Sequence, residues 1–328
     1  MLKRTTLLLV LLLTACVPAA PTPAPPERSF CGDDVCEGPE NRGNCPEDCE
    51  TIPAVERATE NAAMEDAIRV GEEAIIHNPS SGAELVMHIF LSENPVGPTV
   101  VLVPGGTGCG SGFRRPGSMS VDVLLDGGVN VVVFDPDGRC SSDGVEDQNG
   151  SIHQDGLAAV IRHAAEHPDL DPSRMGMVSI SYGITMAAGA LSRYPDLPIT
   201  FLIDYEGPAT RNDTGGCDDD QTGHLMDEVA CDDESFWRQR EALTFMPDVS
   251  VPYYRIQTEN DHAQPDNEHA LQMVNAALEG ASPRVWLNDL VVDAPLLQGE
   301  AVSYISDIND GRVFALVLNI LPEVMAAR

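Results

Sequence analysis

One serine in this chain stands where a hydroxyl could act as a nucleophile. Ser181 lies in MVSISYGITMAAG, residues 177–189, between a β-rich run and a run of small residues. Ser179 and Gly183 flank it two positions to either side, so a sharp strand-to-helix turn can pass without backbone collision. Such a turn lifts the hydroxyl above the sheet edge and aims the next helix's N-terminus at it. The small-x-Ser-x-Gly pattern recurs by chance, and the strand before it and the helix after it give it meaning. A serine hydroxyl is a weak nucleophile near neutral pH and needs a positioned base, which turns attention to the eight histidines. His262 lies in TENDHAQPDNEHAL, beside Asp261. His224 lies in an acidic run bounded by Cys217 and Cys231, and His153 precedes a helical pattern. His77, His88, His163, His167 and His269 read as strand or helix-surface positions.

The elements that must position these groups follow from apolar periodicity. Strand-like runs fall at 74–78, 84–91, 99–104, 130–135, 175–180, 199–204, 252–258 and 284–288. Several are almost continuously apolar, as strands buried on both faces are. Helical patterns such as DGLAAVIRHAAEH and NEHALQMVNAALEG separate most of the later runs. Alternation of this kind, after an initial strand pair, predicts an α/β domain: a mostly parallel eight-stranded sheet with helices on both faces. Ser181 then sits at the carboxyl end of the fifth strand.

With that placement the chain resembles the α/β-hydrolase superfamily over roughly residues 70–320, within a domain taken as 51–328. VVLVPGGTGCGSGF looks like the family's loop after the third strand, so Gly106 or Thr107 would pair with the Tyr182 amide as an oxyanion hole. VVVFDPDGRCSSDGVED looks like the loop after the fourth strand, with Cys140 where the family has glycine. Those loops are neighbours in the family, which implies a Cys109–Cys140 disulfide bracing the oxyanion side. The family's acid usually follows the seventh strand, where Asp261 and Pro265 fit, with Asp204 and Glu206 after the sixth strand as backup acids. The family's histidine follows the last strand, but no histidine occurs beyond His269, and Asn288 and Asp289 stand there instead. His262 could serve as base if the acid came from Asp204 or Glu206. His224 could reach the site from a lid insertion at about 207–247, stiffened by a Cys217–Cys231 bridge. His153 is the third candidate base. The resemblance implies a serine hydrolase acting on a small or uncharged ester or amide, or a hydrolase-shaped binding protein without turnover. Phe236 and Trp237 would line an apolar mouth, or simply pack in the core.

The amino-terminal part carries different information. Lys3, Arg4, an apolar LLLVLLL and LTAC ending at Cys16 form a secretory signal over 1–15 that resembles a bacterial lipobox. The resemblance implies lipid attachment at Cys16, and Val17 after it favours the outer membrane. The chain would then be anchored rather than membrane-spanning. Residues 16–30 form a proline-rich tether. Residues 31–50 contain Cys31, Cys36, Cys45 and Cys49 with almost no apolar side chains, so cross-linking must hold them. This stretch resembles a small CGDGxC…NCPxDC module of bacterial secreted proteins. Asp33, Asp34, Glu37 or Asp48 could ligate calcium, although their spacing is not that of an EF-hand, and a disulfide-held spacer is the plainer reading. A scaffold working through this module is a third functional reading.

With Cys16 lipidated, eight of the nine cysteines remain, an even number that fits disulfides in an oxidising compartment. No metal or cofactor motif stands out elsewhere. The net charge of −33 repels phosphate backbones and argues against nucleic acid as a partner.

Overall fold

A computed structural model describes residues 71–327, apart from 95–96, 116–118, 215–216, 218–230, 265, 299–303 and 306–312. Cys16 and the cysteines of 31–49 lie outside the described residues, as does His224. Nine strands are present among the described residues: β1 (Glu72–His77), β2 (Glu84–Phe90), β3 (Thr99–Val103), β4 (Asn130–Phe134), β5 (Met175–Ile180), β6 (Leu202–Tyr205), β7 (Tyr253–Ile256), β8 (Val285–Leu287) and β9 (Leu290–Val291). They form one sheet in the order β1-β2-β4-β3-β5-β6-β7-β8-β9. The strands from β4 to β8 in that order run parallel, while β1, β2 and β9 pair antiparallel at the two ends.

The eight runs read from sequence are all strands, with two differences. The sixth begins at Leu202 rather than at residue 199. Two-residue β9, too short to show periodicity, folds back on β8 through Asn288 and Asp289. Asn288 takes φ 52°, a left-handed conformation that asparagine tolerates in tight hairpins.

Helices cover both faces. On one lie α2 (Ser151–Ala165), α3 (Gly183–Arg193) and α6 (Glu268–Glu279). On the other lie α1 (Val121–Asp126) and α7 (Val313–Ala326). In α2 the buried Gln154, Leu157, Ala158, Ile161 and Ala164 fall at helical spacing, which gives it one sheet-facing stripe. All six residues of β5 are buried, as its continuous apolar run requires. Between β6 and β7 the described residues of the insertion include two short helices, α4 (Glu234–Trp237) and α5 (Ala242–Phe245). Trp237 is completely buried against Tyr182, so it packs the insertion onto the domain rather than lining a mouth.

Parallel pairing from β3 to β8 has one consequence that matters for chemistry. Every carboxyl end in this group emerges at the same sheet edge, so residues distant in sequence meet there. Packing below that edge is tight. A methyl group on Gly176 would lie 2.2 Å from the Phe201 ring. Gly176→Ala should therefore lower the unfolding free energy by about 1–3 kcal/mol in urea titration, and an unchanged midpoint would contradict this packing.

Candidate active site

Ser181 follows β5 directly, is half-buried, and has φ 50°. A non-glycine residue in that region stores strain and persists only when its surroundings fix it. Here they do. The Ser181 N–H donates to the Tyr205 carbonyl at 2.7 Å, and its own carbonyl accepts from Ile184 N at 3.1 Å. A Cβ on Gly183 would lie 2.7 Å from the Val103 carbonyl, so only glycine fits two residues after the serine. Helix α3 starts at that glycine.

The imidazole that meets this serine comes from the loop after β7. His262 Nε2 stands 3.0 Å from Ser181 Oγ, while its Nδ1 stands 2.6 Å from Glu206 Oε2. Glu206 follows β6, is 1% exposed and has φ 48°. Its carboxylate also accepts from the His262 N–H at 3.2 Å, from the Thr258 N–H at 3.0 Å and from the Thr258 hydroxyl. Burial pushes the Glu206 carboxyl up, but hydrogen bonds from His262 and Thr258 outweigh it and hold the group below the ordinary glutamate range. An ionised carboxylate can only accept, so Nδ1 carries the ring proton and Nε2 offers its lone pair to the serine hydroxyl. The Tyr205 ring stacks on the imidazole, with centroids 5.8 Å apart.

The carboxylate in contact with the imidazole is Glu206 and not, as expected, Asp261. Asp261 lies 3.6 Å from His262 Nδ1, a full ångström farther than Glu206. Its Oδ1 accepts instead from Ala263 N at 2.8 Å and Gln264 N at 2.9 Å, and its Oδ2 accepts from Gln257 Nε2 at 2.8 Å. Asp261 caps the turn that follows the histidine, so its lone pairs are directed into that turn. Asp204, His153 and His269 are engaged elsewhere. Asp204 is fully buried and paired with Arg255 at 2.5 Å. His153 is fully buried, and its Nδ1 accepts from Asn149 N at 3.0 Å. Burial, then the Arg139 charge, lowers its pKa. His269, read as a helix-surface position, is 1% exposed and sits 3.2 Å from Asp261 Oδ2. Asn288 occupies the place after β8 where the resemblance expected histidine. Its amide brackets Gln257, accepting from the backbone N–H at 3.0 Å and donating to the carbonyl at 2.9 Å.

The loop after β3 adjoins the serine. A Cβ on Gly105 would lie 2.9 Å from Ser181 Cβ, and Gly106 takes φ 53°. Cys109 and Cys140 are joined, as the resemblance implied, and so are Cys217 and Cys231. Arg139 reinforces the first bridge by donating to the Gly108 carbonyl at 3.2 Å and to Asn149 Oδ1 at 2.9 Å. Asn149 in turn donates to the Tyr182 carbonyl at 2.8 Å. One guanidinium therefore ties the loop after β3 to Tyr182, the residue that follows Ser181. Among the described residues, two groups of donors could be considered for a metal: Glu206, Asp261 and His262, and Cys109, Asp135 and Cys140. In the first the atoms are occupied by hydrogen bonds to one another and to backbone, and in the second the sulfurs are bonded together.

No family model matches the chain, and no curated protein matches it in sequence. Solved structures do match it in shape. The Pyrococcus furiosus esterase Pf2001 aligns with a TM-score of 0.54 at 16% identity, covering 80% of this chain and 93% of that one. Est1E from Butyrivibrio proteoclasticus, solved with ferulic acid bound, aligns with a TM-score of 0.52 at 16% identity over 77% of this chain and 98% of that one. The Pyrococcus horikoshii acylaminoacyl peptidase aligns with a TM-score of 0.54 at 15% identity over 80% of this chain, which spans only 43% of that one. The fold is that of the α/β-hydrolases. In this fold the carboxylate of Glu206 after β6 meets the imidazole of His262 after β7, one strand earlier for the histidine than the resemblance expected. Glu206 is visible in the sequence only as a backup acid. The signal that could promote it is the missing histidine itself, because a base after β7 leaves the acid to come from β6.

Asp261 offers a test of these electrostatics. Burial raises its pKa, but His269, Gln257 and two backbone N–H groups pull it well below the ordinary aspartate range. A depressed folded-state pKa gives stability that is fully present above the unfolded value and is lost as pH falls through the folded one. Between about pH 5 and about pH 3, the unfolding free energy should fall more steeply for wild type than for Asp261→Asn, by up to about 1.4 kcal/mol per pH unit. Equal slopes in urea titrations would show that this carboxylate is not held ionised by the fold.

Proposed function

We propose that the protein is a serine hydrolase that cleaves an ester or amide bond through Ser181, His262 and Glu206. The observation that carries this is the continuous pair of contacts from Glu206 Oε2 to His262 Nδ1 at 2.6 Å and from Nε2 to Ser181 Oγ at 3.0 Å. His262 takes the hydroxyl proton as Oγ attacks the carbonyl carbon, and Glu206 stabilises the imidazolium that forms. The Tyr182 N–H, at the start of α3, and the N–H of Gly106 or Thr107 hold the developing oxyanion. His262 then gives its proton to the leaving alcohol or amine. Water attacks the acyl-enzyme with the same imidazole as base, which restores Ser181.

The binding-protein reading rests on the lack of a histidine after the last strand, and His262 supplies the imidazole from the preceding loop. The esterases and peptidases among the structural neighbours favour the same chemistry. A chain of net charge −33 discourages anionic substrates, so a small neutral or uncharged ester or amide fits best. The signal-like segment 1–15 and the lipobox-like LTAC support a secreted enzyme anchored through lipid on Cys16, with the outer membrane favoured by Val17. The cysteine-rich stretch 31–50 then acts as a cross-linked spacer between anchor and enzyme.

A fluorophosphonate probe should label wild-type protein and leave Ser181→Ala unlabelled, and labelling of the alanine variant would remove Ser181 as nucleophile. His262→Ala and Glu206→Gln should each reduce kcat on a short-chain ester by about 10³–10⁴-fold. Full activity in Glu206→Gln would return the orienting role to another acid. Replacing both Cys109 and Cys140 with serine should lower kcat by about tenfold through a loosened oxyanion loop, and unchanged kcat would show that Arg139 alone suffices.

A further inference from the structure

Beneath the serine and histidine runs a chain of buried polar groups that the reaction itself does not use. It begins at Arg255 on β7, which is completely buried. Arg255 Nη1 donates to Asp204 Oδ2 at 2.5 Å and to the Gly207 carbonyl at 2.6 Å, the residue directly after Glu206. Its Nε and Nη2 donate to Gln257 Oε1 at 3.0 and 2.5 Å. Gln257, also completely buried, passes the connection on, with Nε2 donating to Asp261 Oδ2 at 2.8 Å and to Asn267 Oδ1 at 2.8 Å. Asp261 Oδ1 then accepts from Ala263 N and Gln264 N, the two residues directly after His262. The chain thus runs from the backbone beside the acid to the backbone beside the base.

Stability alone is a poor reason for such an arrangement. A buried ion pair is often matched or improved upon by apolar side chains of similar volume, because desolvating the charges cancels most of their attraction. Reaction geometry is a better reason. His262 sits on a loop with 36% of its side chain exposed, while Glu206 is fixed in the sheet edge with none exposed. Proton transfer tolerates only small errors in the placement of Nε2, and a displacement of about 1 Å can cost about 10²-fold in rate. A loop histidine needs something rigid to hold it, and the best-fixed object nearby is a guanidinium locked inside the sheet.

We propose that Arg255, Gln257 and Asp261 form a positioning relay that sets the distance between His262 and Ser181 from the same buried guanidinium that anchors the strand end carrying Glu206. Asp261, at the family's usual acid position, serves here as a turn-holding group acting through the histidine. The relay presupposes that the protein is a hydrolase. It adds a role for three residues that act through the histidine, Asp261 standing 3.6 Å from its Nδ1 and away from Nε2 and Ser181, so they are positioning residues.

The test uses the full chain with p-nitrophenyl acetate. Asp261→Asn and Gln257→Met should each lower kcat by about 30–100-fold while KM stays within about twofold. The double variant should be little worse than either single one, because the two side chains act in series. In a His262→Ala background, assayed at high enzyme concentration, Asp261→Asn should cost nothing further. A general structural role would still cost activity there, and that result would overturn the relay, as would undiminished kcat in both single variants. Gln257→Met, which keeps the Arg255–Asp204 pair, covers the case in which Asp261→Asn fails to fold. Two kinds of failure are distinguishable. Wild type labelled at Ser181 with both variants at full rate removes only the relay, whereas a wild type without Ser181 labelling removes the hydrolase reading and the relay with it.

Discussion

The contact between Glu206 and His262 Nδ1 organises the carboxyl edge of this sheet. A carboxylate with no proton to give forces the ring tautomer, and the tautomer determines which nitrogen faces Ser181. That carboxylate is completely buried, so it must be satisfied, and four hydrogen bonds from His262 and Thr258 satisfy it. Two of these come from backbone N–H groups, which orient the carboxylate independently of the ring. The imidazole therefore meets a rigid partner on one side and a strained serine on the other. Tyr205, whose carbonyl holds the Ser181 N–H, also stacks on the ring, so one residue of β6 touches both participants.

Backbone strain at this edge falls where side chains must be aimed. Ser181, Glu206 and Asn288 each have a positive φ near 50°, and each follows the end of a parallel strand. A left-handed residue at a strand end turns its side chain away from the alternation of the pleat, toward the space above the sheet. The cost is offset by the dense packing beneath, where strands β3 to β8 are buried on both faces. Two of the three turned residues present groups to the candidate chemistry. The third, Asn288, clamps Gln257 from the neighbouring strand.

Charge in this protein is used asymmetrically. Against 52 carboxylates it has only 19 lysines and arginines, and several arginines are internal ties rather than surface cations. Arg139 links the loops after β3 and β4, Arg240 binds the insertion to Asp147, Arg211 clamps Glu234 and Glu241, and Arg255 pairs with Asp204. Arg139, Arg240 and Arg255 are almost or wholly buried. The guanidinium fork suits this role, since one group can hold several acceptors in fixed directions. The acidic exterior keeps the chain hydrated, while the scarce cations fix its loops.

Much of this was legible in the linear chain. Apolar runs such as MGMVSI read as buried strands, helical spacing in DGLAAVIRHAAEH gives one buried face, and a serine flanked by small residues directly after MGMVSI marks a tight turn. Those signals are local, because pleat, helix pitch and steric clash act over a few residues. Which carboxylate meets the imidazole could not be settled in this way. Asp261 and Glu206 both follow parallel strands, and both emerge at the same edge. The choice between them depends on an ångström of separation from one nitrogen. That separation is set by how β6 and β7 lie side by side, by Thr258 and the turn at Ala263 and Gln264, and by a guanidinium joining residues 51 positions apart in sequence. Sequence determined which strand ends could carry chemistry, and tertiary packing decided which side chains there point at one another.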